Sequence, residues 1–236
     1  MLKLFISGVE NNKNKIYITS GISATMQSLG YSCGVYKPVE TGVLLKNKKL
    51  ISNDLSYINS VDPYINTYFS YQLESELPPL LSAAAEGLVM EKNVILKDFQ
   101  KIKDKDECLI VDGFSTLGTP LSKDFIEEDI VKMFDIPILF VASGKNPDIN
   151  NTLLSVNRAN ELNIKVNGIV INDYDYESKD ANIKLMPKLI EEYTDTKVLG
   201  ILPEITKNID PSDLITVILN GIDIESVFKI QIAKLR

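Results

Sequence analysis

The stretch Leu2-Lys3-Leu4-Phe5-Ile6-Ser7-Gly8-Val9-Glu10-Asn11-Asn12-Lys13-Asn14-Lys15-Ile16 decides how the rest of the chain is read. Leu2–Ser7 is a short apolar run of the kind buried on both faces of a parallel sheet. A polar turn follows, opening on Gly8. Lys15 then enters a helix in which Ile18, Ile22, Met26 and Leu29 recur at helical spacing. Gly30 supplies a C-terminal cap. Strand, glycine turn and lysine-led helix is the layout of a phosphate-binding loop. Backbone amides and the helix N-terminus present positive potential, and the lysine reaches the terminal phosphates. The strict pattern has glycine before the lysine and Ser or Thr after it, whereas Asn14 and Ile16 stand there. A polar surface turn explains Asn and Lys without any ligand, and the segment alone favours that reading.

Working outward, five more apolar runs read as strands: Cys33–Val39, Cys108–Asp112, Ile136–Ala142, Val166–Asn172 and Val198–Leu202. Helical periodicity covers Asn150–Leu162 and Asp180–Tyr193. The alternation predicts an α/β domain over residues 1–236, with a mostly parallel, doubly wound sheet covered by helices on both faces. Residues 41–105 do not alternate cleanly. They hold short helices around Asp54–Asn59 and Leu80–Gly87 and a longer one at Val94–Lys103, and read as an insertion over the strand ends. The segment Ile224–Arg236 reads as a core or dimer-packing helix. Ligands bind beyond the carboxyl ends of strands in such sheets, so the residues just after each strand carry the functional argument.

Composition narrows the chemistry. The chain of 236 residues has no histidine, which excludes Ser-His-Asp and Cys-His catalysis and imidazole-dependent zinc sites. Cys33 and Cys108 lie in separate apolar stretches and read as reduced core residues. A net charge of −7, with only short basic stretches, argues against nucleic-acid binding. No apolar run approaches the roughly 20 residues that span a bilayer, and the start of the chain does not resemble a signal peptide. A cytoplasmic location is expected. Lysines, carboxylates, hydroxyls and backbone amides must do the work.

Lys37, at the end of the second strand, is followed by Pro38 and can present a stiffly held cation to an anionic group. Thr41 adds a hydroxyl on a loop closed by Gly42. Asp54 starts a short helix, as an N-cap or an outer ligand of Mg²⁺. Asp112 ends the third strand, where an acid in a nucleotide-binding sheet often faces the metal. Each has a plain alternative as a surface or turn residue.

In this order the pieces resemble the dethiobiotin synthetase family of the P-loop superfamily, collinearly over nearly the whole chain. The strongest match is Tyr36-Lys37-Pro38-Val39-Glu40-Thr41-Gly42. Asn53-Asp54, the Pro79–Gly87 segment, Val111-Asp112-Gly113 with Thr119-Pro120-Leu121, and Ile149-Asn150-Asn151-Thr152-Leu153-Leu154 resemble further family motifs. The resemblance implies a synthase that uses ATP and Mg²⁺ to convert 7,8-diaminononanoate and CO₂ into dethiobiotin through a carbamate and a carbamic-phosphoric anhydride. It implies catalysis by Lys37, Lys15 and Thr41. Nucleotide contacts would come from Gly8, Asn11, Asn12, Lys13, Asn14, Lys15, Ile16 and Tyr17, with Asn172, Asp173, Pro203 and Glu204 around the adenine. Asp54 and Asp112 would serve Mg²⁺. Thr41, Pro120, Leu121, Asn150, Asn151 and Thr152 would hold substrate, the last three from a partner subunit, which implies a homodimer.

The departures fall on the nucleotide side. Asn14 replaces a glycine, and its tolerance of positive φ would let the turn survive. Ile16 removes the hydroxyl that would face Mg²⁺. Asp112 is shorter than the family's glutamate, and Phe114 is bulky. A degenerate relative that binds a ligand or partner without ATP turnover is therefore a second reading. A MinD-like or ParA-like regulatory ATPase is a third, although Lys13 lies in the wrong place for their additional lysine.

Overall fold

A computed structural model describes residues 1–10, 14–145 and 148–232. Seven strands form one sheet: β1 (Leu2–Gly8), β2 (Cys33–Thr41), β5 (Asn66–Leu73), β6 (Cys108–Asp112), β7 (Ile138–Ser143), β8 (Val166–Asn172) and β9 (Val198–Ile201). Their order is β5-β2-β6-β1-β7-β8-β9, and every pairing is parallel. A separate hairpin joins β3 (Leu44–Lys46) to β4 (Lys49–Ile51). Asn47 and Lys48 both take positive φ there, as a tight two-residue hairpin turn requires.

Side chains alternate across the central strands and feed two cores. On one side Phe5, Tyr36, Val111 and Phe140 pack against α4 (Lys92–Ile102), α5 (Glu127–Phe134), α6 (Ile149–Glu161) and α7 (Ala181–Thr194). On the other, Leu4, Ile6, Val35 and Ile110 pack against α1 (Lys15–Ser28), α2 (Asn53–Val61), α8 (Pro211–Gly221) and α9 (Ile224–Phe228). The central strands are therefore apolar on both faces. Gly30 ends α1 at φ +91, with Tyr31 N–H donating back to Met26 O over 3.1 Å.

Several elements differ from the sequence reading. β5 joins the main sheet at its edge, so part of the 41–105 stretch belongs to the sheet. Its sequence, Asn66-Thr67-Tyr68-Phe69-Ser70-Tyr71-Gln72-Leu73, is only half buried and shows no continuous apolar run. Cys33 and Cys108 are, as expected, buried free thiols, and they are register partners on β2 and β6. The last helix stops at Phe228, where Lys229 takes φ +55. Ile232 still packs into the core. Among the described residues no helix is long and apolar enough to cross a membrane.

The chain runs from β1 out to β2 and β5, returns through β6 to the flank of β1, and then crosses to β7. The reversal beside β1 places the ends of β1, β2 and β6 around one crevice.

Candidate phosphate- and substrate-binding site

The crevice holds a buried charge cluster. Lys15 Nζ, from the first turn of α1, donates to Asp112 Oδ1 and to Gly113 O, the latter over 2.8 Å. Lys37 Nζ donates to Asp112 Oδ2 at 2.6 Å and pairs with Asp54 Oδ2 at 2.7 Å. Thr19, one turn after Lys15 on the same face, donates its hydroxyl to Asp112 Oδ1 at 2.8 Å. Lys15, Lys37 and Asp112 are each at most 4% exposed. The two buried cations and the buried Asp112 thus compensate one another where water is scarce, as buried ions must, with the half-buried Asp54 completing the charge balance.

Burial and pairing set the protonation states. Burial works against the Asp112 carboxylate, but Lys15 and Lys37 overcome it and hold its pKa well below the carboxylate range. Burial also works against the Lys37 ammonium, and Asp112 and Asp54 overcome it and hold the pKa above the usual lysine value. For Lys15 the burial effect prevails and lowers the pKa, opposed by Asp112.

Asp54 reaches Lys37 because it does not cap its helix. Ser52 is the N-cap of α2, accepting from Leu55 N–H over 2.8 Å. Glu40 Oε1 accepts from Asp54 N–H over 3.1 Å and fixes this helix start, while Glu40 Oε2 is buried without a partner among the described residues. Burial raises the Glu40 pKa. Above the cluster opens a cavity of ≈ 440 Å³, lined by Ile16, Glu40, Thr41, Glu76, Leu77 and Phe114 together with the four charged groups.

On the side expected to hold the nucleotide, Gly8 is required by close approach. A Cβ there would lie 2.7 Å from Glu10 O and 2.9 Å from Ser115 O. Asn14 sits at φ −78°, ψ −6°, so the turn needs no positive φ there; its amide donates to Asp173 Oδ2 over 2.9 Å. Asn172 is fully buried, and neither polar atom of its side chain has a hydrogen-bond partner among the described residues. Asp173 takes φ +56. Burial raises its pKa, and the Asn14 bond opposes that. Glu204, after Pro203, pairs with Lys145 at 3.3 Å. Tyr17 meets the Tyr57 ring edge-on, with centroids 5.1 Å apart. Asn11, Asn12 and Lys13 lie outside the described residues.

The residues expected to hold substrate divide into two groups. Thr41 lines the cavity; Pro120, Leu121, Asn150, Asn151 and Thr152 are not among its lining residues. Pro120 bridges to Ile126, and Leu121 is buried. Asp148 caps α6, accepting from Asn151 N–H at 3.1 Å and from Asn151 Nδ2 at 2.7 Å. Thr152 is buried and donates to Asp148 O over 3.3 Å.

Sequence reasoning missed Thr19, Glu40 and Glu127 as site neighbours. The helical spacing from Lys15 could have indicated Thr19. Nothing local marks Glu127, the first residue of α5. It is buried, and its carboxylate accepts from Ser7 Oγ at 3.2 Å, Phe114 N–H at 2.9 Å and Ser115 N–H at 3.2 Å. Burial raises its pKa to about 7 despite Lys15 and these donors. Among the described residues, no group of three or more His, Cys, Asp or Glu is poised around a metal position. Asp54 and Asp112 are bridged by Lys37.

The AAA_26 family model, an AAA domain, matches residues 3–212. The ATP-dependent dethiobiotin synthetase of Bacillus subtilis (strain 168) is 26% identical over 205 residues, 87% of this chain and 88% of that protein. The Fusobacterium nucleatum synthetase is 29% identical over 187 residues, 77% of this chain and 84% of its own. That of Nitrosopumilus maritimus is 28% identical and covers 97% of this chain and 100% of its own. Among solved structures, the MinD cell division protein of Aquifex aeolicus superposes with a TM-score of 0.60 at 14% identity, covering 97% of this chain and 95% of its own. A ParA family ATPase from Chlorobium tepidum gives 0.57 at 9% identity, covering 97% and 96%. These two show the shared fold. Domain match and synthetase homology together establish that the chain belongs to the AAA_26 family of AAA domains, in the P-loop NTPase superfamily, as a homologue of the dethiobiotin synthetases.

Proposed function

We propose that this chain is a cytoplasmic ATP- and Mg²⁺-dependent dethiobiotin synthase, a cyclo-ligase that closes 7,8-diaminononanoate and CO₂ into dethiobiotin. One observation carries the reading: two buried lysines from different elements, Lys15 and Lys37, converge on the single Asp112 carboxylate beneath an open cavity. A reaction that brings an anionic carbamate to an anionic triphosphate needs two such cations more than it needs an acid or base.

The donor set suits the implied cofactors. Asp54 and Asp112 are hard oxygen ligands of the kind Mg²⁺ takes, and Mg²⁺ keeps several waters, so two carboxylates suffice. The Asn172 amide, which has no partner among the described residues, offers a donor and an acceptor side by side, as the edge of a nucleobase requires. When bound, MgATP supplies the phosphoryl group that activates the carbamate.

The chain's own residues would do the rest. Lys15 would turn from Asp112 to the outer phosphates, releasing a carboxylate oxygen toward the metal. Lys37 would hold the carbamate and the transferring group, and Thr41 would hydrogen-bond the carbamate. Glu40 would keep Asp54 in place through its amide. The α6 start would bind the substrate carboxylate as an anion at a helix N-terminus. Because that helix start does not line the cavity of its own chain, a second copy would supply it.

The test is a product assay with 7,8-diaminononanoate, bicarbonate, Mg²⁺ and ATP or other nucleoside triphosphates, with dethiobiotin read by mass. Dethiobiotin above the no-enzyme control supports the proposal. No product with any nucleotide, from folded protein, refutes it in favour of a degenerate relative.

A further inference from the structure

Glu127 lies under the site rather than in it, and no step above uses it. Its surroundings are unusual for a buried acid. The carboxylate faces the turn after β6, where Oε2 accepts from the consecutive amides of Phe114 and Ser115, and Oε1 accepts from Ser7 Oγ. The fit is close: a Cβ on Gly113 would collide with Glu127 Oε1 and come within 2.6 Å of the Phe5 ring.

The same turn serves the site from its other side. Gly113 O accepts from Lys15 Nζ over 2.8 Å, and Ser115 O accepts from Gly8 N–H over 2.7 Å. Three consecutive residues of one turn thus point amides at Glu127 (Phe114 and Ser115) or carbonyls at Lys15 and Gly8 (Gly113 and Ser115). A peptide turn held on one side cannot rotate its carbonyls on the other without breaking those bonds, and an amide left unpaired away from water is costly.

We propose that Glu127 is a positioning residue that acts through the Gly113–Ser115 turn to set Lys15 and the start of the phosphate loop. It touches neither substrate nor cofactor. Its task is to accept two amide hydrogen bonds, so an uncharged acceptor of the same shape serves as well. Glutamine meets that need, because its side-chain oxygen accepts two hydrogen bonds and its NH₂ donates to Ser7 Oγ. Methionine fills the volume and accepts essentially nothing.

The test follows Lys15 directly. In protein labelled with ¹⁵N-lysine, the buried Lys15 ammonium is detected by proton–nitrogen correlation at low temperature and assigned by its loss in Lys15→Arg. Glu127→Gln should keep this signal near its wild-type position. Glu127→Met, with unchanged circular dichroism, should lose or broaden it. Turnover should follow, with kcat falling roughly tenfold in the methionine variant, KM for the diamine staying within about twofold, and kcat kept near wild type in the glutamine variant. A retained Lys15 signal in Glu127→Met overturns the proposal, and so does its loss in Glu127→Gln. If the methionine variant does not fold, Glu127→Asp replaces it: a carboxylate one methylene short of the turn should lose the signal, and retention overturns the proposal. The kcat comparison rests on the synthase activity proposed above. The Lys15 signal does not, so failure of one reading is distinguishable from failure of the other.

Discussion

Asn14 Nδ2 and Asp173 Oδ2 are 2.9 Å apart, in a hydrogen bond that ties the residue before Lys15 to the turn after β8. A phosphate loop with glycine at this place has no side chain to make such a bond. Here the loop and the turn expected at the nucleobase are one connected unit. Asn14→Ala and Asp173→Ala should each weaken ATP binding by about 1 kcal/mol, the worth of one such bond. The double variant should be little worse than either single one, because they remove the same interaction. Isothermal titration calorimetry across the four proteins decides it, and additive losses would show that the bond does not couple the two segments.

Lys37 carries the largest expected effect on turnover. It is buried between Asp54 and Asp112, and among the described residues no other cation is bonded to both. Lys37→Ala should abolish measurable dethiobiotin formation while ATP still binds through Lys15 and the helix N-terminus. Lys37→Arg should restore little, because a planar fork does not replace a point charge in a site fitted to an ammonium. Product measurement alongside calorimetry separates the two effects, and normal turnover in Lys37→Ala would remove the central role assigned to this residue.

Asp112 should matter as much to stability as to function. It is the shared anion for Lys15, Lys37 and Thr19. Asp112→Asn leaves two buried ammonium groups with one exposed-side partner, Asp54, and breaking a buried pair costs about 3–5 kcal/mol. Urea unfolding at neutral pH reads this loss. The pH dependence has a definite sign. Because the folded-state pKa of Asp112 is depressed, its contribution is full above the unfolded carboxylate value and is lost as pH falls toward the folded value. The difference between wild type and Asp112→Asn should therefore be constant at neutral pH and shrink only in strong acid.

How much of this was legible depends on what each residue shows locally. Lys15, Lys37 and Asp112 stand at the edge of apolar runs, and the rule that ligands bind at strand ends draws them together before any coordinates. Asp54 was legible as a helix-start acid, but its freedom to reach Lys37 depends on Ser52 taking the capping role. The Asn14–Asp173 bond joins residues 159 positions apart, and nothing in either neighbourhood announces it. β5 was hidden because an edge strand needs no continuous apolar run, and Tyr68, Ser70 and Gln72 look like a loop. Glu127 was hidden because an acid at a helix start normally means an exposed first turn.

Ile16 tests whether the altered phosphate loop is a handicap. Its side chain lines the cavity beside Lys15, where a hydroxyl would give Mg²⁺ one more oxygen. Ile16→Thr should raise the apparent affinity for Mg²⁺ in the synthase reaction by several-fold, at some cost in stability from the lost apolar burial. Adding Asn14→Gly should bring no further gain. Asn14 sits in the right-handed helical region, which any residue adopts, and the exchange would delete the bond to Asp173. Titration of turnover against Mg²⁺ for both variants checks this, and an unchanged Mg²⁺ requirement in Ile16→Thr would place the metal away from residue 16.

Glu127 gives the most readable pH signature. Its pKa is raised by burial from 4.5 to about 7. Between those two values the folded protein holds a proton that the unfolded chain has released. Stability therefore falls as pH rises through this window and levels off above it. The full effect, about two and a half pH units at 1.36 kcal/mol each, is on the order of 3 kcal/mol. Glu127→Gln cannot ionise and should escape it. The variant should match wild type near pH 4.5, gain steadily up to neutrality, and stay more stable by a constant amount at pH 8. Urea midpoints measured at half-unit steps between these limits decide the matter. Parallel curves for the two proteins would mean that Lys15 and the two amides already keep the Glu127 carboxylate ionised throughout.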